Sequence, residues 1–123
     1  MTLLKKPVFF LVSANPPSSR EFYESTLNFQ CLSDDQFALV FDLGTTTLRI
    51  QKVTSITEVN HTVLGWEVVD IQLCINELSG KGVQFEKFSH LPQDELGVWS
   101  APGGALVAWF KDPDGNTLSL TEY

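Results

Sequence analysis

Histidine and cysteine are almost missing from this chain, with two of each in 123 residues. Those side chains most often hold transition metals, so a metal centre built from them would consume nearly the whole supply. Cys31 and Cys74 stand among apolar neighbours without metal-ligand spacing. They read as two buried reduced thiols, with a single disulfide as the alternative. Basic residues are also scarce: eight Lys and Arg against fifteen Asp and Glu give a formal net charge of −7, and no basic cluster exceeds Lys5-Lys6. That balance argues against nucleic acid and against an anionic membrane surface as partners. No apolar stretch approaches the roughly 18–20 residues that cross a bilayer. The opening Met1-Thr2-Leu3-Leu4-Lys5-Lys6-Pro7 lacks the basic, apolar and small-residue order of a signal peptide. The expected compartment is the cytoplasm.

What is present is core material. Hydrophobic residues make up 43% of the chain, nine residues are Phe, and only 19% are charged, a composition that excludes disorder. The length fits a single domain spanning 1–123. Val-Phe-Phe-Leu-Val-Ser predicts a strand over 8–13. Asn15 can then cap a helix, with Pro16 suited to its first position, and Phe22, Tyr23 and Leu27 recur at helical spacing over 16–27. Strands are expected over 29–32, 37–43 and 45–53, the last from its β-branched Thr-rich run. After a polar linker at 54–62 the order repeats. A strand at 63–69 leads to Asp70 as a cap, and Ile71, Cys74, Ile75 and Leu78 mark one face of a second helix that Gly80 and Gly82 stop. Strands follow at 83–87, 105–110 and 117–123, the last two joined by the turn Asp112-Pro113-Asp114-Gly115-Asn116. The chain therefore reads βαβββ twice, module one at about 7–53 and module two at about 63–123. The class is α+β. Neither copy buries a sheet face alone, and two together can close a core.

The segment Trp109-Phe110-Lys111-Asp112-Pro113-Asp114-Gly115-Asn116-Thr117-Leu118 resembles the closing signature of the vicinal-oxygen-chelate superfamily. That superfamily includes glyoxalase I, bleomycin-resistance proteins and extradiol dioxygenases. Phe22-Tyr23-Glu24-Ser25-Thr26-Leu27-Asn28-Phe29 resembles its first helix, and Asp70-Ile71 with Leu78 and Gly82-Val83-Gln84-Phe85 resembles its second. The resemblance implies two βαβββ modules forming a curved mixed sheet around a shared cavity, and a homodimer. It also implies a divalent metal in the enzymes, held by His or Gln on the first strand of each module and Glu on the last. Those positions project onto Val8 and Val63, seven residues before Asn15 and Asp70, and onto Arg49 and Ser119. Two hydrocarbons, a guanidinium and a hydroxyl do not make that donor set. His61, in the linker, and His90, in Ser89-His90-Leu91-Pro92, read as surface residues.

A metal-free protein that binds, sequesters or confers resistance to a small organic molecule is the expected function, with no cofactor. A metal-dependent lyase, isomerase or dioxygenase with a non-standard site is the alternative, as is an interaction protein whose cavity has collapsed. The expected ligand-binding residues are Phe10, Arg49, Glu67, Trp99, Trp109 and Ser119, suited to an aromatic or carboxylate-bearing ligand. Arg49 is expected to take the electrostatic place of the metal, holding a carboxylate or enolate-like oxygen; pairing with Glu67 or reaching solvent is the competing role. Glu67 is a weak candidate for a catalytic base. Trp66 reads as core. Of the adjacent pair Trp109 and Phe110, one faces inward, and alternation does not say which.

Overall fold

The computed structural model describes residues 3–123, and Met1 and Thr2 of the opening segment lie outside the described residues. Contacts divide the chain into two compact units, one up to Glu58 and one from Val59. In the first, β1 (Val8–Ser13) leads into α1 (Pro16–Glu21), a π-helical turn (Phe22–Thr26), β2 (Gln30–Asp34), β3 (Ala38–Asp42) and β4 (Thr47–Lys52). The Asn15 side chain accepts from the Ser18 N–H, and the two prolines sit where no N–H is needed. Leu27 N–H donates five residues back to Phe22 C=O at 2.9 Å, which widens the helix, and Asn28 at φ 63° ends it.

The strands order β1-β4-β3-β2, with β1 parallel to β4 and the other pairs antiparallel. Alternation divides the sheet cleanly. Leu11, Leu39, Phe41, Leu48 and Ile50 are buried on the face that packs under the helix, where the ring of the fully buried Tyr23 lies 5.7 Å from Phe41. The other face carries Val8, Phe10, Val12, Val40 and Arg49.

The second unit repeats the plan with β5 (Thr62–Glu67), α2 (Ile71–Gly80), β6 (Trp99–Ser100), β7 (Leu106–Lys111) and β8 (Thr117–Glu122), ordered β5-β8-β7-β6. Asp70 caps α2 by accepting from Leu73 N–H at 3.1 Å, and the Glu122 carboxylate accepts from Ile71 N–H at 2.9 Å, tying the helix start to β8. In the β7–β8 turn, Asp112 Oδ1 accepts from the N–H groups of Asp114 and Asn116, and its Oδ2 accepts from the Asn116 side-chain amide at 2.8 Å. Gly115 supplies the positive φ of 86° that the turn requires. Leu64, Ala108, Phe110, Leu118 and Leu120 are buried on one face, where α2 contributes Ile71 and Ile75.

The two tandem βαβββ modules of an α+β fold are thus present, with one correction. The expected strand over 83–87 does not form; Phe85 makes an isolated bridge to Phe110, and the two-residue β6 pairs with β7 instead. The cause is Gln93. Its side-chain amide donates to Glu86 C=O and its Oε1 accepts from Phe88 N–H, taking the backbone groups that a longer ladder would use. Cys31 and Cys74 are free thiols and half-buried rather than buried.

Candidate functional site

β1 and β4 run in register so that Phe10 stands opposite Arg49, which in turn stands opposite Val40 on β3. The first module thus presents a guanidinium between two apolar neighbours on the face away from its helix. Arg49 also helps to hold the Asp35 carboxyl below its ordinary range, behind the larger contributions of the Ala38 and Phe37 backbone N–H groups. Val8, the projected first-strand ligand, shares that face opposite Thr47.

In the second module Ser119 is bracketed by Gly65 on β5 and Trp109 on β7. The fit is close enough that a Cβ on Gly65 would lie 2.4 Å from Ser119 Oγ. A glycine therefore lets the serine hydroxyl lie over β5, and Ser119 is buried as a result. Glu67 stands two residues further along β5, opposite Thr121. Val63, the other projected ligand, falls at the register shift between Thr62 and Leu64, so the residue beside Ser119 is Gly65.

The ambiguity at Trp109 and Phe110 is resolved by the register. Phe110 pairs with Leu118 and is fully buried on the face toward α2, which leaves Trp109 on the opposite face with Ser119. Trp66 pairs with Leu120 on the α2 side and is half-buried. Trp99 is part of β6 itself, opposite Val107, and its ring lies 6.1 Å from that of Trp109. Phe88 packs edge-on against Trp109 at 5.5 Å, and the Trp109 indole N–H donates to Thr62 Oγ1 at 3.1 Å. The aromatic wall is therefore fixed at both edge and face.

Phe10 and Arg49 thus stand side by side in one module, and Trp99, Trp109 and Ser119 stand together in the other. One grouping escaped sequence reasoning. His61, His90, Asn60, Thr62, Phe88, Leu91 and Thr117 line a cleft of about 200 Å³ against Trp109. The histidines come from the two ends of the module's outer connections, and no spacing rule links them. Phe88, three residues after Phe85 in a Phe-Glu-Lys-Phe run, is the one signal the sequence offered for an aromatic there.

The donor chemistry does not fit the superfamily's metal. The projected positions hold Val8, Arg49, Val63 and Ser119. Among the described residues no group of three or more His, Cys, Asp and Glu is placed to hold a metal ion. Among the same residues no helix is long and apolar enough to cross a membrane.

No protein-family model and no curated protein sequence matches the chain. Solved structures do. A glyoxalase/bleomycin resistance protein/dioxygenase superfamily member from Sphaerobacter thermophilus matches with a TM-score of 0.75 at 20% identity, over 98% of each chain. A glyoxalase family protein from Enterococcus faecalis matches at 0.71 and 22% identity, over 94% of each. A lactoylglutathione lyase from Agrobacterium tumefaciens matches at 0.75 and 13% identity, over 96% of this chain and 92% of the other. With the duplicated βαβββ plan and the Asp112–Asn116 turn, these likenesses establish that the chain has the fold of the glyoxalase/bleomycin-resistance/dioxygenase proteins, the vicinal-oxygen-chelate superfamily.

Proposed function

We propose that the chain is a metal-free small-molecule binding protein, acting by sequestering its ligand rather than by metal-assisted chemistry. One observation carries this reading: the four positions that resemblance assigns to metal ligands hold side chains that cannot form the set, while the same sheet faces carry Arg49 beside Phe10 and Trp109 beside Ser119. Apolar and aromatic walls with a few directed polar groups are the usual composition of a site that binds without reacting. Arg49 is the first module's cation on that face and suits a carboxylate or enolate-like oxygen through its planar fork of donors. We further assign the protein to the cytoplasm and to a homodimer, the latter supported by the apolar exposure of β1.

The test combines metal analysis with ligand screening. Protein purified without chelator is expected to contain no stoichiometric metal, and added Ni²⁺, Zn²⁺, Mn²⁺ or Fe²⁺ is expected to leave its melting temperature unchanged. A thermal-shift screen of carboxylate metabolites and aromatic antibiotics should return stabilising compounds. Arg49→Ala should weaken the anionic ones about tenfold, the loss of one charge-assisted hydrogen-bond pair. A stoichiometric bound metal, or a screen in which nothing stabilises the protein, would sink the reading.

A further inference from the structure

The cleft beside Trp109 differs from the rest of the surface in its charge. The chain carries fifteen Asp and Glu, yet none lines this cleft, and no Lys or Arg does either. Its polar groups are the two imidazoles of His61 and His90, the Asn60 amide and the hydroxyls of Thr62 and Thr117. Thr62 Oγ1 already accepts from the Trp109 indole N–H, so its own proton is free to be donated outward. Each imidazole offers an N–H as well. Each of these polar side chains can donate a hydrogen bond, and no carboxylate lines the cleft to compete, so together they can meet a ligand that only accepts.

The walls set the rest of the ligand. Phe88 and Trp109 meet at 82°, and Phe88 also lies 5.8 Å from the His90 ring, so a flat group entering the cleft meets ring surfaces on more than one side. The volume, about 200 Å³, lies below the roughly 300–1,000 Å³ of sites for drug-sized molecules and admits a single ring with one substituent. The wall does not need to form on binding. Thr62 fixes the Trp109 edge, and the Gln93 amide anchors the loop bearing Phe88 and His90 through Phe88 N–H, Glu86 C=O and Gly97 C=O.

We propose that the cleft bounded by His61, His90, Phe88 and Trp109 binds a single-ring aromatic carboxylate, its ring against Phe88 and Trp109 and its carboxylate accepting from the imidazole N–H groups and the Thr62 hydroxyl. This rests on the reading of the chain as a small-molecule binding protein; it adds a cleft that reading does not use, sharing only Trp109 with it, and narrows the ligand from aromatic or carboxylate-bearing to a single ring that carries the carboxylate.

Isothermal titration with benzoate, benzamide and cyclohexanecarboxylate on the full chain tests it, with Trp fluorescence as a second readout. Benzoate should bind about tenfold more tightly than either, since benzamide lacks the charge and cyclohexanecarboxylate the flat ring. His61→Leu with His90→Leu should reduce benzoate affinity about tenfold or more and leave benzamide within about twofold. Both histidines are exposed, so the double variant should melt as the parent does; Trp109→Leu should weaken benzoate and benzamide alike. Equal binding of benzoate and benzamide, or benzoate binding untouched by the double His variant, overturns the proposal. So does the absence of benzoate binding. If benzoate fails while another compound stabilises the parent but not Arg49→Ala, this inference falls and the broader reading stands; if no compound binds, both fall.

Discussion

Ser119 and Gly65 show how one residue's identity depends on another across the sheet. Resemblance places a carboxylate at position 119 in the enzymes, and here a hydroxyl folds over β5 into space that only a glycine leaves open. Gly65→Ala should destabilise the protein by about 1–3 kcal/mol: the Ser119 hydroxyl can rotate away from the new methyl, but the Ser119 carbonyl oxygen, 3.1 Å from it, moves only with the backbone of β8. Urea unfolding of Gly65→Ala, Ser119→Ala and the double variant reads this directly. The double should be more stable than the sum of the singles implies, and strict additivity would show that Oγ is not what the methyl meets. A second residue-level expectation concerns Asp34, whose carboxylate accepts from Lys52 Nζ at 2.6 Å and from Arg20 Nη1 at 2.9 Å. Lys52 first, and Arg20 after it, hold its pKa below the ordinary 3.8. The fold favours the ionised form, so this stabilisation is complete above 3.8 and is lost as pH falls below it through the folded-state value. The stability difference between the parent and Asp34→Asn, measured by thermal melts at low salt, should be constant at neutral pH and shrink below about pH 4. It should be small throughout, because both ion pairs are exposed to solvent.

At the level of the element, the segment from Val83 to Trp99 is where pattern and fold part company. Val83, Phe85 and Lys87 alternate as a strand does, and Phe85 does reach the sheet, its ring 5.3 Å from that of Phe110. Alternation along a chain cannot register that a glutamine several residues on will take the neighbouring backbone groups. Trp99–Ser100, which replaces the expected strand at the β7 edge, is too short to carry any periodic signal and is followed by Pro102-Gly103-Gly104. Gln93→Ala should free the Phe88 N–H and two carbonyls, at a cost of about 1–3 kcal/mol. Hydrogen exchange should then accelerate at Phe88 and Gln93 while amides in β8 stay protected. Uniform acceleration across the module would show that the clamp supports the whole sheet. Elements with chemical boundaries start and stop where their residues dictate: Asn15 and Asp70 cap as expected, and the Asp112–Asn116 turn joins β7 to β8.

Taken over the entire chain, exposure on β1 bears on assembly. Val8, Phe9 and Phe10 are 44%, 41% and 64% exposed on a strand at the edge of its sheet. An apolar edge strand left open invites pairing with another chain. Multi-angle light scattering at micromolar concentration is expected to give twice the chain mass, and Phe10→Glu to shift the population toward the single-chain mass. A parent that runs as a monomer would contradict the homodimer. The net charge of −7 does not speak against an anionic ligand, since the Trp109 cleft has no acidic lining. Charge averaged over a surface sets long-range repulsion, whereas affinity is set by groups within hydrogen-bonding distance.

Residue order alone carried the duplicated βαβββ plan, the helix starts, the β7–β8 turn and the poverty of metal donors, because each depends on neighbours a few positions apart. A cap, a proline turn and an alternating strand act over one turn or one pleat. Register and one side-chain clamp carried the rest. That Trp109 rather than Phe110 stands beside Ser119, and that Gly65 makes room for the serine, follow from which strands pair and where their ladders shift, and His61 and His90 share one cleft because the Gln93 amide anchors the loop that bears His90. The strand contacts join residues far apart in the chain, and one residue of slippage would send each side chain to the other face of its sheet.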